Sequence, residues 1–360
     1  MVELKIYNRE YNVDGIDEPV FSFKTCYNIN VISGDSGTGK TQFITSVQNA
    51  IDNIDNWYLE CNHKVAVVTG ISQLDRLAED EKLIIIDEDT VNAYRKNHNI
   101  LDLRKYKKYF ILLDRGVAGK SDININAIFK ISCEYSNKDD TVIKQHKIEP
   151  MYPRRDVFDY SNISSMVVED KESGLLFWKS ALKGIDVIDI GLYGNGNVIN
   201  NIKYALSNYK GKCIISLDYD AGAVVMQSIL RDKQIDKSRI SFLKLECFEE
   251  LICNSEFILS KYPHIKDKVI NYLDYMDCNY KSTGHYFSKL LFDNVKVKSP
   301  IKNDGDRNVT KFYDKGMDNF KECFILDCCT YNKNDCPLFY NNDKIDGMLC
   351  NKFEFLRQFR

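Results

Sequence analysis

A glycine-rich segment, G-D-S-G-T-G-K-T, occupies residues 34 to 41 and constrains the fold of this chain more than any other feature. The residues before it, 28 to 33, turn apolar as a short buried strand does, and apolar residues recur at helical spacing after it. Strand, glycine-rich loop and helix form the context that a phosphate-binding loop (P-loop) requires. The pattern therefore predicts an α/β fold with a phosphate site at the start of that helix.

Each residue type in this loop has a chemical purpose. The glycines let backbone N–H groups turn toward the phosphates, and the helix N-terminus adds the positive end of its dipole. The Lys40 ammonium is expected to reach the β- and γ-phosphates of ATP, and the Thr41 hydroxyl to ligate Mg²⁺. The predicted ATP-binding residues of the loop are Gly34, Ser36, Gly37, Thr38, Gly39, Lys40 and Thr41. Asp87, from the next motif, completes the set.

A second apolar strand ends in acids at K-L-I-I-I-D-E-D, residues 82 to 89. It resembles the Walker B strand of P-loop ATPases, in which Asp87 would hold Mg²⁺ through water and Glu88 would activate the attacking water. A buried strand that ends in solvated acids is the alternative. With further strands at 64 to 69 and 107 to 115, the pattern predicts a parallel, doubly wound sheet. The compact spacing resembles AAA or STAND-like ATPases.

Another series of strands and helices follows a boundary near residue 155. S-M-V-V-E-D places Glu169 after an apolar strand, and C-I-I-S-L-D-Y-D places Asp218 and Asp220 after another. Because the carboxyl ends of parallel strands meet at one edge of an open sheet, these acids are expected to converge. Neighbouring carboxylates bind hard cations, and paired ions stabilise the attacking and leaving oxygens of a phosphodiester. Surface acids that end core strands are the alternative.

This order of motifs resembles the Toprim domain of topoisomerases, primases and OLD-family nucleases, over roughly residues 162 to 260. The family places a glutamate after its first strand, a glycine-containing turn after the second (here G-N-G-N) and D-x-D after the third. The resemblance implies that Glu169 is the general acid/base or a metal ligand. It also implies that Asp218 and Asp220 ligate one or two Mg²⁺ or Mn²⁺ ions, with Glu249 as a further acid.

Two positions depart from the Toprim pattern. Asp170 stands where the family often has glycine, and the glycine after the D-x-D pair falls at Gly222, one position from its place in topoisomerases. HAD phosphatases also end a strand in D-x-D. That motif usually lies near the start of its domain, whereas this pair follows the third strand.

The last hundred residues are aromatic and irregular, and mostly helices are expected, with a flexible loop near 300 to 310. Five cysteines lie close together near the end of the chain, and because they include no C-x-x-C pair, buried or free thiols are expected, with a structural Zn²⁺ site of four thiolates as the alternative. The cysteines concerned are Cys323, Cys328, Cys329, Cys336 and Cys350. The histidines are scattered, and no catalytic role is assigned to them.

Composition limits the functional class. No apolar run is long enough for a membrane span, and the charged N-terminus lacks a signal core, so a cytoplasmic protein is expected. In such a protein the 12 cysteines are expected to be reduced thiols, core residues or metal ligands. The net charge of −3 gives no general attraction to nucleic acid, although R-K-Y-K-K at 104 to 108 is a local basic patch.

Three domains are predicted: a P-loop ATPase domain at 1–155, a Rossmann-like Toprim domain at 160–261 and a helical, Cys-rich region at 262–360. This plan resembles the OLD-like ATPase–Toprim proteins, and implies an ATP-regulated nuclease that cleaves DNA or RNA, of a kind common in bacterial or phage defence. A regulatory ATPase whose Toprim-like domain only binds a partner or nucleic acid is the alternative, and a primase- or topoisomerase-like accessory enzyme is a third. A homo-oligomer or a complex with a partner protein is expected.

Overall fold

The fold is taken from a computed structural model. It describes residues 1–11, 18–34, 37–54, 56–115, 123–135, 143–152, 162–169, 178, 186–189, 198–219, 222–243, 246–254, 259 and 262–295. Two predicted site residues, Ser36 and Asp220, lie outside the described residues. So do the G-N-G-N turn and the C-terminal cysteines, for which zinc binding was the alternative to buried or free thiols.

The chain divides into two compact units. The first contains Met1–Pro153 and Leu273–Lys281, and the second contains Arg154–Tyr272 and Ser282–Arg360. The segment 273–281 therefore belongs to the first unit, although the residues on both sides of it belong to the second. Strands alternate with helices in both units, which confirms the predicted α/β class.

The elements of the first unit are as follows. Its strands are β1 (Val2–Asn8), β2 (Phe21–Thr25), β3 (Ile29–Ser33), β4 (Trp57–Cys61), β5 (Lys64–Val68), β6 (Glu81–Ile86), β7 (Tyr109–Asp114), β8 (Ile128–Tyr135) and β9 (Ile143–Pro150). Its α-helices are α1 (Lys40–Ile51), α2 (Ile71–Leu74) and α3 (Glu88–Arg95). Short 3₁₀ helices cover Arg9–Tyr11, Ile100–Tyr106 and Ile125–Ala127.

A large sheet with the order β5-β6-β7-β3-β8-β9 forms the centre of this unit. The strands β5, β6, β7, β3 and β8 run parallel to one another. The apolar runs of β6 and β7 are continuous because strands in the middle of a parallel sheet are covered on both faces. Ile85 and Ile111 are fully buried there together with Phe43 of α1. Each such side chain contributes about 1.5–3 kcal/mol by leaving water.

The sheet differs from the purely parallel prediction at β9, which runs antiparallel to β8. Only residues 136 to 142 connect these two strands. A parallel crossover needs about a dozen residues or more, so the chain can return only as an antiparallel neighbour. The consequence for the site is that His146, in β9, comes close to the glycine-rich loop.

A small antiparallel sheet, β2-β1-β4, was not predicted from the sequence. Its signal is the alternation V-E-L-K-I at the start of the chain, which is typical of a strand with one buried face. Val2, Leu4 and Ile6 are buried and pack with α1 and the large sheet in one core. This sheet therefore covers the outer side of the helix that begins at the loop.

The second unit follows the predicted alternation of strands and helices. Its strands are β10 (Ile163–Val168), β11 (Asp186–Asp189), β12 (Lys212–Ser216) and β13 (Ile240–Phe242). The α-helices that the structure describes after residue 153 are α4 (Val198–Asn208), α5 (Ala223–Arg231), α6 (Phe248–Cys253), α7 (Lys266–Ile270), α8 (Tyr272–Tyr275) and α9 (Thr283–Val295). Short 3₁₀ helices in the same part of the chain cover Lys237–Arg239 and Pro263–Ile265. None of the helices in the described ranges is long and apolar enough to span a membrane.

The strands of the second unit form a parallel sheet with the order β11-β10-β12-β13. The core beside it contains Val167, Ile202, Ile215 and Ile229, all essentially inaccessible to solvent. β10 and β12 are neighbours, with Val168 opposite Ser216 at their carboxyl ends. The residues that follow these two strands must therefore lie side by side.

Candidate functional site

The glycine-rich loop lies between β3 and α1 of the first unit. β3 ends at Ser33, Gly34 follows it, and α1 begins at Lys40. Gly37 and Gly39 have φ angles of +84° and +101°, in the left-handed region that side chains rarely tolerate. The loop conformation therefore requires glycine at these two positions.

Space around the loop also excludes side chains. A Cβ added to Gly39 would lie 2.8 Å from the ring of His146, and one added to Gly34 would lie 2.6 Å from the Thr38 hydroxyl oxygen. Contacts this short cannot be relieved by rotation of a side chain at the glycine itself. The loop backbone is thus packed closely, as expected where backbone N–H groups approach a ligand.

Lys40 and Thr41 begin the helix that follows the loop. Lys40 is 7% exposed, and its ammonium donates a hydrogen bond to the carbonyl of Gly34. Thr41, next to it, is exposed. The first N–H groups of a helix have no partner within the helix, so the start of α1 combines free backbone donors with a cation. A cation at a helix N-terminus suits an anionic oxygen ligand.

His146 supports the loop from β9. Its ring stacks on Phe21 with centroids 4.5 Å apart, and its Nε2 lies 3.0 Å from the side-chain oxygen of Gln42. Because that amide oxygen can only accept, Nε2 donates. Burial lowers the pKa of His146 below its usual 6.5. No local pattern around His146 indicates this role, because the contact joins the loop to a distant strand.

The buried imidazole predicts a pH-dependent stability. A pKa lowered in the folded state means that the unfolded chain binds the proton more readily, so the stabilisation is complete above about pH 6.5 and is lost as the pH falls toward the folded pKa. His146→Gln is expected to reduce this loss between pH 7.5 and 5.5, measured by urea unfolding. His98→Gln, at an exposed position, is the control and should keep the native slope. An unchanged slope in His146→Gln would contradict the prediction.

Acidic residues follow the strands beside β3. Ser33 of β3 pairs with Asp114 at the end of β7, and Asp87 follows β6, the next strand along. The parallel arrangement puts Asp87, Asp114 and the glycine-rich loop at the same edge of the large sheet. This edge is where ligands of open parallel sheets bind.

Asp87 and Glu88 each have a contact in the first unit. Asp87 is the N-cap of α3, and its carboxylate accepts a hydrogen bond of 2.9 Å from the backbone N–H of Thr90. Glu88 forms an ion pair of 2.9 Å with Arg115, which lies just beyond the end of β7. An ion pair with so exposed an arginine contributes about 0–1 kcal/mol and can be exchanged for another partner.

The cap provides a way to separate a structural from a chemical role of Asp87. Asparagine caps helices as well as aspartate does, whereas alanine costs about 1 kcal/mol. If Asp87 holds the metal of an ATPase, as its motif predicts, Asp87→Asn is expected to keep the free energy of unfolding and to lose at least about 90% of ATP hydrolysis, because the negative charge is gone. Asp87→Ala should lose both. Hydrolysis retained in the asparagine variant would leave Asp87 with the capping role alone.

A buried ion pair between Arg95 and Asp114 was missed by sequence reasoning. The Arg95 guanidinium at the end of α3 contacts the Asp114 carboxylate at the end of β7, and their side chains are 16% and 5% exposed. The available signal was an aspartate at the end of the apolar run F-I-L-L-D. The pair ties α3 to the strand beside the loop, so it fixes the helix that Asp87 caps.

In the second unit, Glu169 and Asp218 come together as predicted from the strand ends. Glu169 follows β10, Asp218 lies just beyond β12, and the backbone N–H of Asp218 donates a hydrogen bond of 3.0 Å to the Glu169 carboxylate. The backbone N–H of Glu169 in turn donates to the carbonyl of Ser216. Both acids are half-buried. The two residues thus lie at one edge of the parallel sheet.

Glu249 lies on α6, after β13, and is 4% exposed. It belongs to a buried acidic segment with Glu246 and Glu250. The carboxylate of Glu250 accepts a hydrogen bond of 2.9 Å from the Glu246 backbone, and that of Glu246 accepts from the Tyr272 hydroxyl. These contacts give the segment a structural role, and a metal-binding role for Glu249 stays a prediction.

The donor set can be compared with what a divalent cation needs. Carboxylate oxygens are the ligands that Mg²⁺ and Mn²⁺ prefer, and Glu169 and Asp218 supply them on adjacent strands. No group of three or more His, Cys, Asp or Glu side chains suited to a metal occurs within the described part of the chain. Asp220, the predicted third ligand, is outside that part. The residues in hand therefore fit one side of a hard-cation site.

No known protein-family model matches this chain, and comparison with curated proteins gives no match either.

Proposed function

We propose that the first unit binds and hydrolyses ATP. The observation that carries this proposal is the loop between β3 and α1, with two glycines in the left-handed region and the buried Lys40 ammonium at the helix start. Buried cations are costly unless an anion or a set of acceptors compensates them. Triphosphate oxygens at this point would take the place of the Gly34 carbonyl as the acceptor for Lys40.

Other residues of this edge have roles in the same proposal. The backbone N–H groups of the loop would hold the phosphates, and Thr41 and Asp87 would hold Mg²⁺, directly or through water. The metal would neutralise the charge that develops on the phosphate oxygens. Glu88 would release Arg115 and orient the attacking water, and the freed guanidinium could then contact a phosphate.

We propose further that the second unit cleaves phosphodiester bonds of DNA or RNA with Mg²⁺ or Mn²⁺. The supporting observation is that Glu169 and Asp218, from the ends of two adjacent parallel strands, are joined by a hydrogen bond. The carboxyl edge of a parallel sheet, where these acids lie, is the place at which ligands of such sheets bind. ATP bound in the first unit would regulate the cleavage.

A regulatory ATPase with an inactive second unit is the second candidate. It is favoured by one observation, namely that the described residues contain no set of three metal ligands. In this alternative, Glu169 serves to hold the Asp218 backbone, and the unit binds a partner or nucleic acid. A cytoplasmic homo-oligomer with a role in phage defence is compatible with both candidates.

Metal binding separates the two candidates. Titration with Mn²⁺, monitored by calorimetry, is expected to show binding to the Asp87→Asn variant, in which a proposed metal ligand of the first site is removed. Asp218→Asn and Glu169→Gln in that background should each weaken binding at least about tenfold, since each removes a charged ligand. Asp293→Asn, an exposed aspartate of α9, is the matched control. Equal Mn²⁺ binding in all of these variants would favour the inactive second unit.

A further inference from the structure

A separate cleft of about 540 Å³ lies in the first unit, away from the glycine-rich loop. It is lined by the beginnings of three neighbouring strands and by residues 277 to 279, which belong to the same unit. His63 precedes β5, Lys82 lies in β6, and Lys107 precedes β7. Its volume is in the range of pockets that bind small molecules, about 300–1,000 Å³.

The cleft and the glycine-rich loop are at opposite ends of the large sheet. β5, β6 and β7 begin at the cleft, whereas the loop follows the carboxyl end of β3, which runs parallel to β7. Strands of five or six residues span about 17–20 Å at a rise of about 3.3 Å per residue. One small molecule cannot occupy both places, so the cleft would be a second site.

Two lysines give the cleft its positive charge. Lys82 and Lys107 form no ion pair with any residue that the structure describes. Lys108 is different, because its buried ammonium donates to the carbonyls of Ala78 and Glu81 at 2.7 and 2.5 Å. Burial lowers the pKa of Lys108, and the nearby Lys82 ammonium lowers it further, as expected where positive charge accumulates.

Two acids, Asp277 and Glu79, also line the cleft. The carboxylate of Asp277 accepts hydrogen bonds of 2.8 and 3.1 Å from the backbone and side chain of Asn279, so it serves a local turn. Glu79 forms no ion pair within the described ranges and is exposed on the wall of the cleft. A carboxylate in that position can accept hydrogen bonds from sugar hydroxyls.

Aromatic rings provide a flat surface next to these charges. The His63 ring stacks against Tyr109 with centroids 5.4 Å apart, and Tyr106 also lines the cleft. The Tyr106 hydroxyl donates to Asp75 at 3.0 Å, which fixes the ring. Stacking on such rings is the sequence-tolerant way in which proteins hold a nucleobase.

We propose that this cleft binds a nucleoside monophosphate, either free or as the 5′-phosphorylated end of a nucleic-acid strand. Lys82 and Lys107 would contact the phosphate, Glu79 the sugar hydroxyls, and the rings of His63 and Tyr106 the base. The basic segment R-K-Y-K-K, which contributes Lys107 to this cleft, would then take part in binding the phosphate of this ligand. This proposal does not depend on ATP binding at the glycine-rich loop.

Calorimetric titration with AMP tests the site. The native protein and Lys40→Met should bind AMP equally, and the double variant Lys82→Gln/Lys107→Gln should bind it about tenfold more weakly, because two charge-assisted contacts are lost. Glutamine keeps the size of the side chain and the backbone preference at Lys107, whose φ is +52°. Lys24→Gln/Lys96→Gln, at two exposed positions outside the cleft, is the matched control.

Several results would overturn the proposal: no AMP binding by the native protein, binding that Lys40→Met abolishes, or binding that the double cleft variant retains. Orthophosphate that binds as tightly as AMP would also overturn it, because the rings would then have no role. A short 5′-phosphorylated oligonucleotide distinguishes the two sources of the ligand. Tighter binding of the oligonucleotide than of AMP identifies a strand end, and the reverse identifies a free nucleotide.

Discussion

Replacing Lys40 by methionine is expected to weaken ATP binding about a hundredfold, which corresponds to about 3 kcal/mol. The Lys40 ammonium is buried at the start of α1, where it would make charge-assisted contacts with the triphosphate. Methionine keeps most of the aliphatic stem, so the loop should still pack. A fluorescent ATP analogue measures the affinity, and urea unfolding checks that the variant is folded.

Lys96→Met is the control for this prediction. Lys96 is exposed just beyond the end of α3, so its replacement removes one positive charge without touching the loop. Its affinity for the analogue should stay within about twofold of the native value. If Lys40→Met binds ATP as tightly as the native protein, the glycine-rich loop is not the nucleotide site.

Replacing Arg95 by leucine is expected to lower the free energy of unfolding of the first unit by about 3–5 kcal/mol. Asp114 is 5% exposed, so the substitution leaves its carboxylate buried without this cation. Unfolding of the first unit can be monitored through the fluorescence of Trp57, which lies in that unit. A Trp178→Phe background removes the other tryptophan, which lies in the second unit.

The double variant Arg95→Leu/Asp114→Leu separates the cost of the unpaired charge from the value of the pair. Replacing both partners of a buried ion pair with apolar residues is often neutral or stabilising. Two donors of Arg95, Nε and Nη2, are buried without an acceptor among the described residues, which adds to the cost of the native pair. We therefore expect the double variant to regain most of the stability. An Arg95→Leu variant as stable as the native protein would contradict the account.

The edge of the large sheet that carries the glycine-rich loop could be predicted, because the sequence signals for it lie close together in the chain. The apolar strand, the glycines and Lys40 are consecutive, and α1 begins where the loop pattern ends. The strand before Asp87 was equally clear, since L-I-I-I is a continuous apolar run. The sequence could not indicate that Asp87 also caps α3, because an aspartate before a helix is typical of both a cap and a metal ligand.

The packing of His146 against the glycine-rich loop could not be predicted, because it depends on residues far apart in the sequence. His146 is in a strand that joins the sheet antiparallel, and its contact with Gly39 follows from that pairing alone. The same reason applies to residues 273–281, whose sequence shows only short helical spacing. Their place in the first unit, where the thiol of Cys278 donates to the Lys107 carbonyl, is set by packing that periodicity does not encode.

In the second unit, the convergence of Glu169 and Asp218 followed from two strand ends and the parallel topology. The hydrogen bond between them did not, since strand patterns carry no information about which backbone group a carboxylate accepts from. Glu249 was suggested by family resemblance rather than by spacing. Its burial beside Glu246 and Glu250 depends on contacts with Tyr272, far along the chain.

We expect the edge formed by Glu169 and Asp218 to cleave phosphodiesters under the control of ATP. The deciding experiment is cleavage of plasmid DNA and of RNA in Mg²⁺ or Mn²⁺, with and without ATP. The native protein and Asp293→Asn should cut, Asp218→Asn should be at least about a hundredfold slower, and Lys40→Met should cut at a rate that ATP no longer changes. Cleavage that persists undiminished in Asp218→Asn, or its absence from the native protein under all of these conditions, would contradict the claim.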